Sequence, residues 1–163
     1  MKECIEVTTT NDGAASGAAE LELSATCVAD IMTTQLVTLF PHHTFAEAVQ
    51  LMSNSSFRHF LVIQADGRLA GVFSDRDVLR ALGRTPNWQA KTISGVMTRY
   101  VITVKPQTPI SVAVSEMLER RINCLPVVGD DGKVCGIITS TDLLKRYQRI
   151  QASLETNSNV TEF

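Results

Sequence analysis

The chain has 163 residues, 44% hydrophobic and 20% charged, enough for one domain of ordinary size or two small lobes sharing a core. A net charge of −2 and the lack of an aromatic–basic cluster argue against a nucleic-acid binder and against attraction to an anionic membrane. The apolar runs fall short of the roughly 18 residues of a membrane span, and Met1 to Ala25 is acidic without an apolar h-region, so a cytoplasmic location is expected.

Residues 1–25 read as a flexible tail, rich in Thr, Gly and Ala. A short helical approach is expected from Leu21, Leu23, Val28, Ile31 and Met32, which give a partial apolar face. Leu36 to Leu39 is a short strand, ended by Pro41, which cannot donate to a ladder. Thr44 to Ser53 is a helix, because Phe45, Ala48, Val49 and Met52 recur at helical spacing. Thr44 and Glu47 fit a capping box at its start. Phe60 to Ile63 is a continuous apolar run and reads as a buried strand. Asp66-Gly67 is a turn, Leu69 to Phe73 the next strand, and Asp75 to Leu82 a second helix.

The same order then returns. Strand Val101 to Val104, helix Ile110 to Glu119, strand Leu125 to Val128, turn Asp131-Gly132, strand Val134 to Ile138 and a helix from Thr141 are expected. Residues 83–92 link the copies, with Pro86 breaking any helix there. The last helix carries a seam of Leu143, Tyr147, Ile150 and Leu154, which can cover the core or meet a partner helix. Residues 151–163 are the end of that helix and a polar tail.

The recurrence has a constant offset of 65 residues. Met32-Thr33 returns as Met97-Thr98, Thr38 as Thr103, Asp66-Gly67 as Asp131-Gly132, Gly71 as Gly136 and Asp77 as Asp142. A unit that cannot bury its apolar face alone buries it against its copy. A pseudo-twofold axis with two equivalent clefts is therefore expected.

The cysteines (Cys4, Cys27, Cys124 and Cys135) form no zinc-binding spacing, and Cys124 and Cys135 read as buried thiols in apolar stretches. His42-His43 lies in a loop. Adjacent histidines point apart and have no third ligand at a suitable spacing, so solvent exposure is expected. No catalytic triad, P-loop or carboxylate pair stands out, and no enzyme is expected.

The unit strand–helix–strand–strand–helix, its opening Met-Thr, its Asp-Gly hairpin and its closing motif resemble the CBS domain. The closing motif reads Gly71-Val72-Phe73-Ser74-Asp75-Arg76-Asp77 and Gly136-Ile137-Ile138-Thr139-Ser140-Thr141-Asp142. Leu125-Pro126-Val127-Val128 is similar to the family's second strand, whereas Leu61 stands where the family often has Pro. The resemblance implies an α/β (α+β) fold of two CBS repeats, at 26–82 and 93–150, related by a pseudo-twofold axis, with small sheets packed against helices. A tandem pair of this kind is a Bateman module.

The resemblance also implies an adenosine-containing ligand between the repeats: AMP, ADP or ATP, with NAD(H) or S-adenosylmethionine as alternatives. Asp77 and Asp142 open helices, where a carboxylate can accept from ribose hydroxyls. Ser74 and Thr139 offer hydroxyls to phosphate or ribose, and Thr38 and Thr103 belong to the same expected sites. Ile102, Pro126, Val127 and Ile137 are expected to flank the adenine. Arg58, His59 and Arg76 align with Asn123, Cys124 and Thr141, so the clefts should be unequal. Modules of this kind suggest that the three basic residues face the phosphate of a ligand whose ribose is held by Asp142 and Thr139, making that site the tighter one. The simpler alternative is that Ser74 and Thr139 are N-caps and the aspartates first-turn dipole partners. The expected function is a regulatory adenosine-nucleotide module that signals through a homodimer or an effector protein. The alternative is a ligand-free dimerisation scaffold.

Overall fold

The computed structural model describes residues 26–84 and 86–158. The expected tail, with Cys4, Leu21 and Leu23, lies outside them. The first copy runs through Thr38–Leu39 (β1), Phe45–Ser53 (α1), His59–Ile63 (β2), Leu69–Ser74 (β3) and Asp75–Arg84 (α2). The second runs through the single turn Ile93–Val96 (α3), then Ile110–Arg120 (α4), Cys124–Val128 (β4), Val134–Thr139 (β5) and Ser140–Ser158 (α5). The fold class is the expected mixture of helices and small sheets.

Local chemistry accounts for several of these elements. Thr44 caps α1 by accepting from the Glu47 N–H at 3.2 Å, while Glu47 accepts from the Thr44 N–H at 2.8 Å. This is the reciprocal capping box that Thr44 and Glu47 signal. Gly67 and Gly132 hold φ of +85° and +80° in the two hairpin turns, a region that glycine enters without steric cost. In one sheet β1 runs parallel to β2, and β2 antiparallel to β3. The second sheet pairs β4 with β5 alone.

Two expected strands shrink. Leu36 to Leu39 is reduced to Thr38–Leu39. The strand expected over Val101 to Val104 is not formed, and Val104 makes only an isolated parallel bridge to Val127. Its N–H donates to the Pro126 carbonyl at 3.0 Å and its carbonyl accepts from Val128 at 2.9 Å, so one residue does the pairing. The helical turn α3 was not anticipated. It lies 65 residues after the 3₁₀ turn Val28–Asp30 and repeats it.

These two turns lock the copies together, because each leads into one repeat but packs into the other. Val28 is fully buried with Val104, Ala113, Met117, Leu125, Val127 and Ile138 of the second copy. Ile93 and Met97 lie with Leu39, Phe45, Phe60, Val62 and Phe73 of the first. Neither core is complete without the other's lead segment. Val28 and Ile93, the side chains that cross, are both fully buried, and burial of such an apolar side chain contributes about 1.5–3 kcal/mol, so this exchange is a strong tether. A third cluster (Leu61, Val72, Cys124 and Ile137) fills the space between the sheets.

The bridges show the expected pseudo-twofold. Thr33 pairs with Ile137 as Thr98 pairs with Val72, and Cys27 pairs with Pro109 as Thr92 pairs with Thr44. Arg68 and Lys133, equivalent residues of the two hairpins, pair with each other. The repeated glycines serve this exchange. A Cβ on Gly71 would stand 2.5 Å from the Thr98 carbonyl oxygen, and one on Gly136 would stand 2.6 Å from the Met32 sulfur. The close approach for which Gly is needed is to the other copy's Met-Thr segment.

Candidate functional site

The site begins with the closing motifs. In the first copy Asp77 stands three residues after Ser74, at the third position of α2. One carboxylate oxygen, Oδ2, accepts from the Ser74 N–H at 2.9 Å and the Ser74 hydroxyl at 2.8 Å. The other, Oδ1, accepts from the Thr98 hydroxyl at 3.0 Å and from Arg80 Nη1 at 3.4 Å. Asp77 is 3% exposed. Its equivalent Asp142 repeats the cap, with Oδ2 accepting from the Thr139 N–H at 2.8 Å and its hydroxyl at 2.6 Å. Asp142 Oδ1 accepts from the Thr33 hydroxyl at 3.3 Å, and the carboxylate is half-buried. Both aspartates therefore hold the start of their own helix and clasp the exchanged Met-Thr segment of the other repeat. In the second copy the Thr139 hydroxyl also accepts from the Asp142 N–H at 3.3 Å.

A cavity of about 280 Å³ opens beside Asp77. It is just below the roughly 300–1,000 Å³ range of small-molecule sites. The first copy supplies Arg58, His59, Val72, Ser74, Asp75, Arg76, Asp77 and Arg80, and the second supplies Thr98, Tyr100, Val101, Ile102, Ile122, Asn123 and Cys124. Arg58 and His59 come from the start of β2, which pairs His59 with Ser74 and so sets them beside the motif. Arg76 and Arg80, four residues apart on α2, share one helix face.

The electrostatics follow from burial and from three guanidinium groups. Burial lowers the pKa of half-buried His59. Asp75 and Asp77 oppose that shift, while Arg76 and Arg58 reinforce it. Burial, with the Asp77 charge as a smaller cause, pushes the Cys124 thiol up to about 12, so it stays protonated. Three arginines against Asp75 and Asp77 leave the cavity with a net positive charge.

The structure gathers Arg58, His59, Ser74, Arg76, Asp77 and Ile102 of the expected site residues in this cavity. The basic residues expected to serve Asp142 thus share a cavity with Asp77, because the strand that carries two of them is hydrogen-bonded to the strand that ends in Ser74. Thr139 and Asp142 do not line it. Thr103 borders a second hollow, with Lys105, Thr108 and Glu116. Thr38 pairs with Leu61 in β1. Pro126 and Val127 are fully buried and Ile137 is 8% exposed among core side chains, and none of the three lines this cavity. Thr33, Thr98, Arg80, Tyr100 and Asn123 were not singled out as site residues. The Met-Thr repeat was the signal for the two threonines. The others follow only from folding.

Elsewhere, Cys124 and Cys135 are free thiols. His42 is exposed, but half-buried His43 accepts from the Phe40 N–H at 3.2 Å through Nδ1. The seam of the last helix is divided, with Leu143 against the core and Tyr147 62% exposed. No helix of the described residues is long and apolar enough to cross a membrane.

A family model of the CBS domain matches residues 28–84 and again residues 93–149. The chain belongs to the CBS-domain family. Its tandem arrangement is shared by the CBS domain pair of protein MJ0100, solved in complex with 5′-methylthioadenosine and S-adenosyl-L-methionine. That structure is 29% identical, with a TM-score of 0.68 over 75% of this chain and 95% of that one. It is shared too by CBSX2, solved in complex with AMP, at 27% identity and a TM-score of 0.69 over 78% and 99% of the two chains. Among curated relatives, the L-aspartate semialdehyde sulfurtransferase of Methanocaldococcus jannaschii is 30% identical over 122 residues, 75% of this chain and 23% of that protein. The homoserine O-acetyltransferase of Methanohalobium evestigatum is 29% identical over 121 residues, 74% and 24% of the two. The chain thus spans about a quarter of the length of these enzymes, and what it shares with them is its CBS repeats.

Proposed function

We propose that this CBS pair is a regulatory module that binds an adenosine nucleotide between its repeats, with the phosphate in the Asp77 cleft. The observation that carries this reading is one cavity holding a capped aspartate, three arginines and a half-buried histidine, with walls from both repeats. Ribose would lie against Asp77 and Ser74, the base against Val101 and Ile102, and the phosphate among Arg58, His59 and Arg76. A ligand that touches both repeats favours one angle between them, and a partner surface can read that angle. The adenosine ligands of the MJ0100 pair and CBSX2 support the ligand class. The net positive cavity favours AMP, ADP or ATP over NAD(H), and over cationic S-adenosylmethionine still more. The Asp142 cleft, with Asn123, Cys124 and Thr141 in the equivalent places, is proposed as a second adenosine site of different selectivity.

Thermal shift with AMP, ADP, ATP, NAD(H) and S-adenosylmethionine tests this. A ligand at about 100 times its Kd stabilises the fold by about 2.7 kcal/mol. A rise with the phosphate-bearing ligands is expected. No shift with any of them returns the chain to the scaffold reading.

One further observation supports a dimer. Leu79 and Leu82 on α2 are 69% and 49% exposed, and their equivalents Leu144 and Tyr147 on α5 are 67% and 62% exposed. A second copy that covers both pairs makes a closed twofold dimer. Leu79→Asp and Leu144→Asp together should then yield a monomer by light scattering. Dimerisation is compatible with either reading, and the effector protein would dock on the assembled pair.

A further inference from the structure

The two aspartates differ in how much hydrogen-bonding capacity they keep. A carboxylate offers about four acceptor positions. In Asp77 all are taken, two by Ser74, one by Thr98 and one by Arg80. Asp142 takes two from Thr139 and one from Thr33, and among the described residues no ion pair joins it to Lys145, the equivalent of Arg80. Ser74 and Thr98 hold the helix start and the exchanged segment, so they cannot let go without loosening the fold. Arg80 can. Its side chain is 55% exposed, its contact is the longest of the four, and it belongs to the same cavity as Arg58 and Arg76.

We propose that Arg80 is a latch on Asp77 that makes this cleft select phosphate-bearing nucleotides against neutral nucleosides. A ribose reaches Asp77 Oδ1 only when the guanidinium leaves. A nucleoside would strip that charged bond and give Arg80 nothing in return. A nucleotide brings a phosphate into the cavity where Arg80 already lies, and the guanidinium exchanges a carboxylate for a phosphate of matching geometry. Selectivity then comes from the cost of opening the latch as well as from contact with the phosphate. The inference rests on the reading of the cavity as a nucleotide site.

Calorimetry on the full chain with AMP and adenosine as probes tests it, using wild type, Arg80→Ala and Arg80→Gln. The exposed position of Arg80 lets both variants fold, and the Gln variant keeps most of the stem. Adenosine binding should tighten about threefold in both, the size expected of a half-exposed ion pair. AMP binding should weaken about tenfold, as for loss of a charged hydrogen bond. Movement in opposite directions is the signature of a latch. Adenosine affinity left unmoved would make Arg80 an ordinary phosphate contact, and equal weakening of both probes would make it a structural prop. Either result overturns the latch and leaves the nucleotide site standing. Absence of binding of both probes to wild type and variants removes the nucleotide reading, and the latch with it.

Discussion

The surroundings of Asp77 and Asp142 share one backbone design and differ in chemistry. Each aspartate caps its helix through the residue three before it, and each clasps the threonine of the other repeat's Met-Thr segment. Around Asp77 stand Arg58, His59 and Arg76, where the equivalent positions around the axis hold Asn123, Cys124 and Thr141. Asp77 is nearly closed to solvent and paired with Arg80, whereas Asp142 is half-buried. What duplication preserved is what folding needs at both ends of the axis. Folding does not require the side chains around the caps to match, so they could diverge.

The largest expected effect tests the exchange itself. Gly71→Ala would press a methyl group on a backbone carbonyl, and should cost about 3 kcal/mol. Gly136→Ala meets the sulfur of Met32, a side chain that can rotate, and should cost about 1 kcal/mol. Urea unfolding of the two variants checks the order, and equal costs would show that the two halves tolerate strain alike. Next come the caps. Asp77→Ala strands buried donors of Ser74 and should cost about 2 kcal/mol, against about 1 kcal/mol for the half-exposed cap lost in Asp142→Ala. By calorimetry, Asp77→Ala should also lose AMP affinity by about tenfold or more, as expected for a charged acceptor. Retained AMP binding there, with loss in Asp142→Ala, would transfer the phosphate site to the other cleft.

Smaller effects sharpen the same contrast. Thr98→Val removes a 3.0 Å bond to a buried carboxylate and should cost about 1 kcal/mol, measured by chemical denaturation. Thr33→Val removes a 3.3 Å bond to a half-buried one and should cost about half as much. The smallest effect is that of pH. Burial depresses the pKa of His59 below its ordinary 6.5, so the unfolded chain binds the proton more readily. The stabilising effect of a neutral His59 is fully present above pH 6.5 and is lost as pH falls through its folded pKa. His59→Asn should flatten this part of the melting-temperature profile. An unaltered profile would show that His59 titrates as it does in the unfolded chain.

Much of the fold was legible because its signals are local. The helix Phe45–Ser53 follows from apolar spacing and a capping pair, and the hairpins follow from Asp-Gly turns. The strand expected at Val101 to Val104 failed because, among the described residues, Val104 is the one member of that segment that bridges to β4, and pairing is a property of two segments. The closing motif pointed to Ser74, Asp77, Thr139 and Asp142, but a one-dimensional reading could not tell which cleft Arg58, His59 and Arg76 would enter. The apolar character of Val127 and Pro126 suits an adenine wall and a core equally well, and only the folded structure shows that both are buried.

By itself the sequence determined the duplication, its register of 65 residues, most of the element types and the place of Asp77 and Asp142 in the first turn of a helix, since each depends on neighbours a few residues apart or on a pattern that repeats. Tertiary structure alone decided that Met32-Thr33 and Met97-Thr98 cross into the opposite repeat, that Gly71 and Gly136 make room for them, and that Arg80 fills the last acceptor of Asp77. These are contacts between surfaces that meet only when both repeats are folded. Their geometry is set by packing across the axis, which no local pattern in the chain encodes.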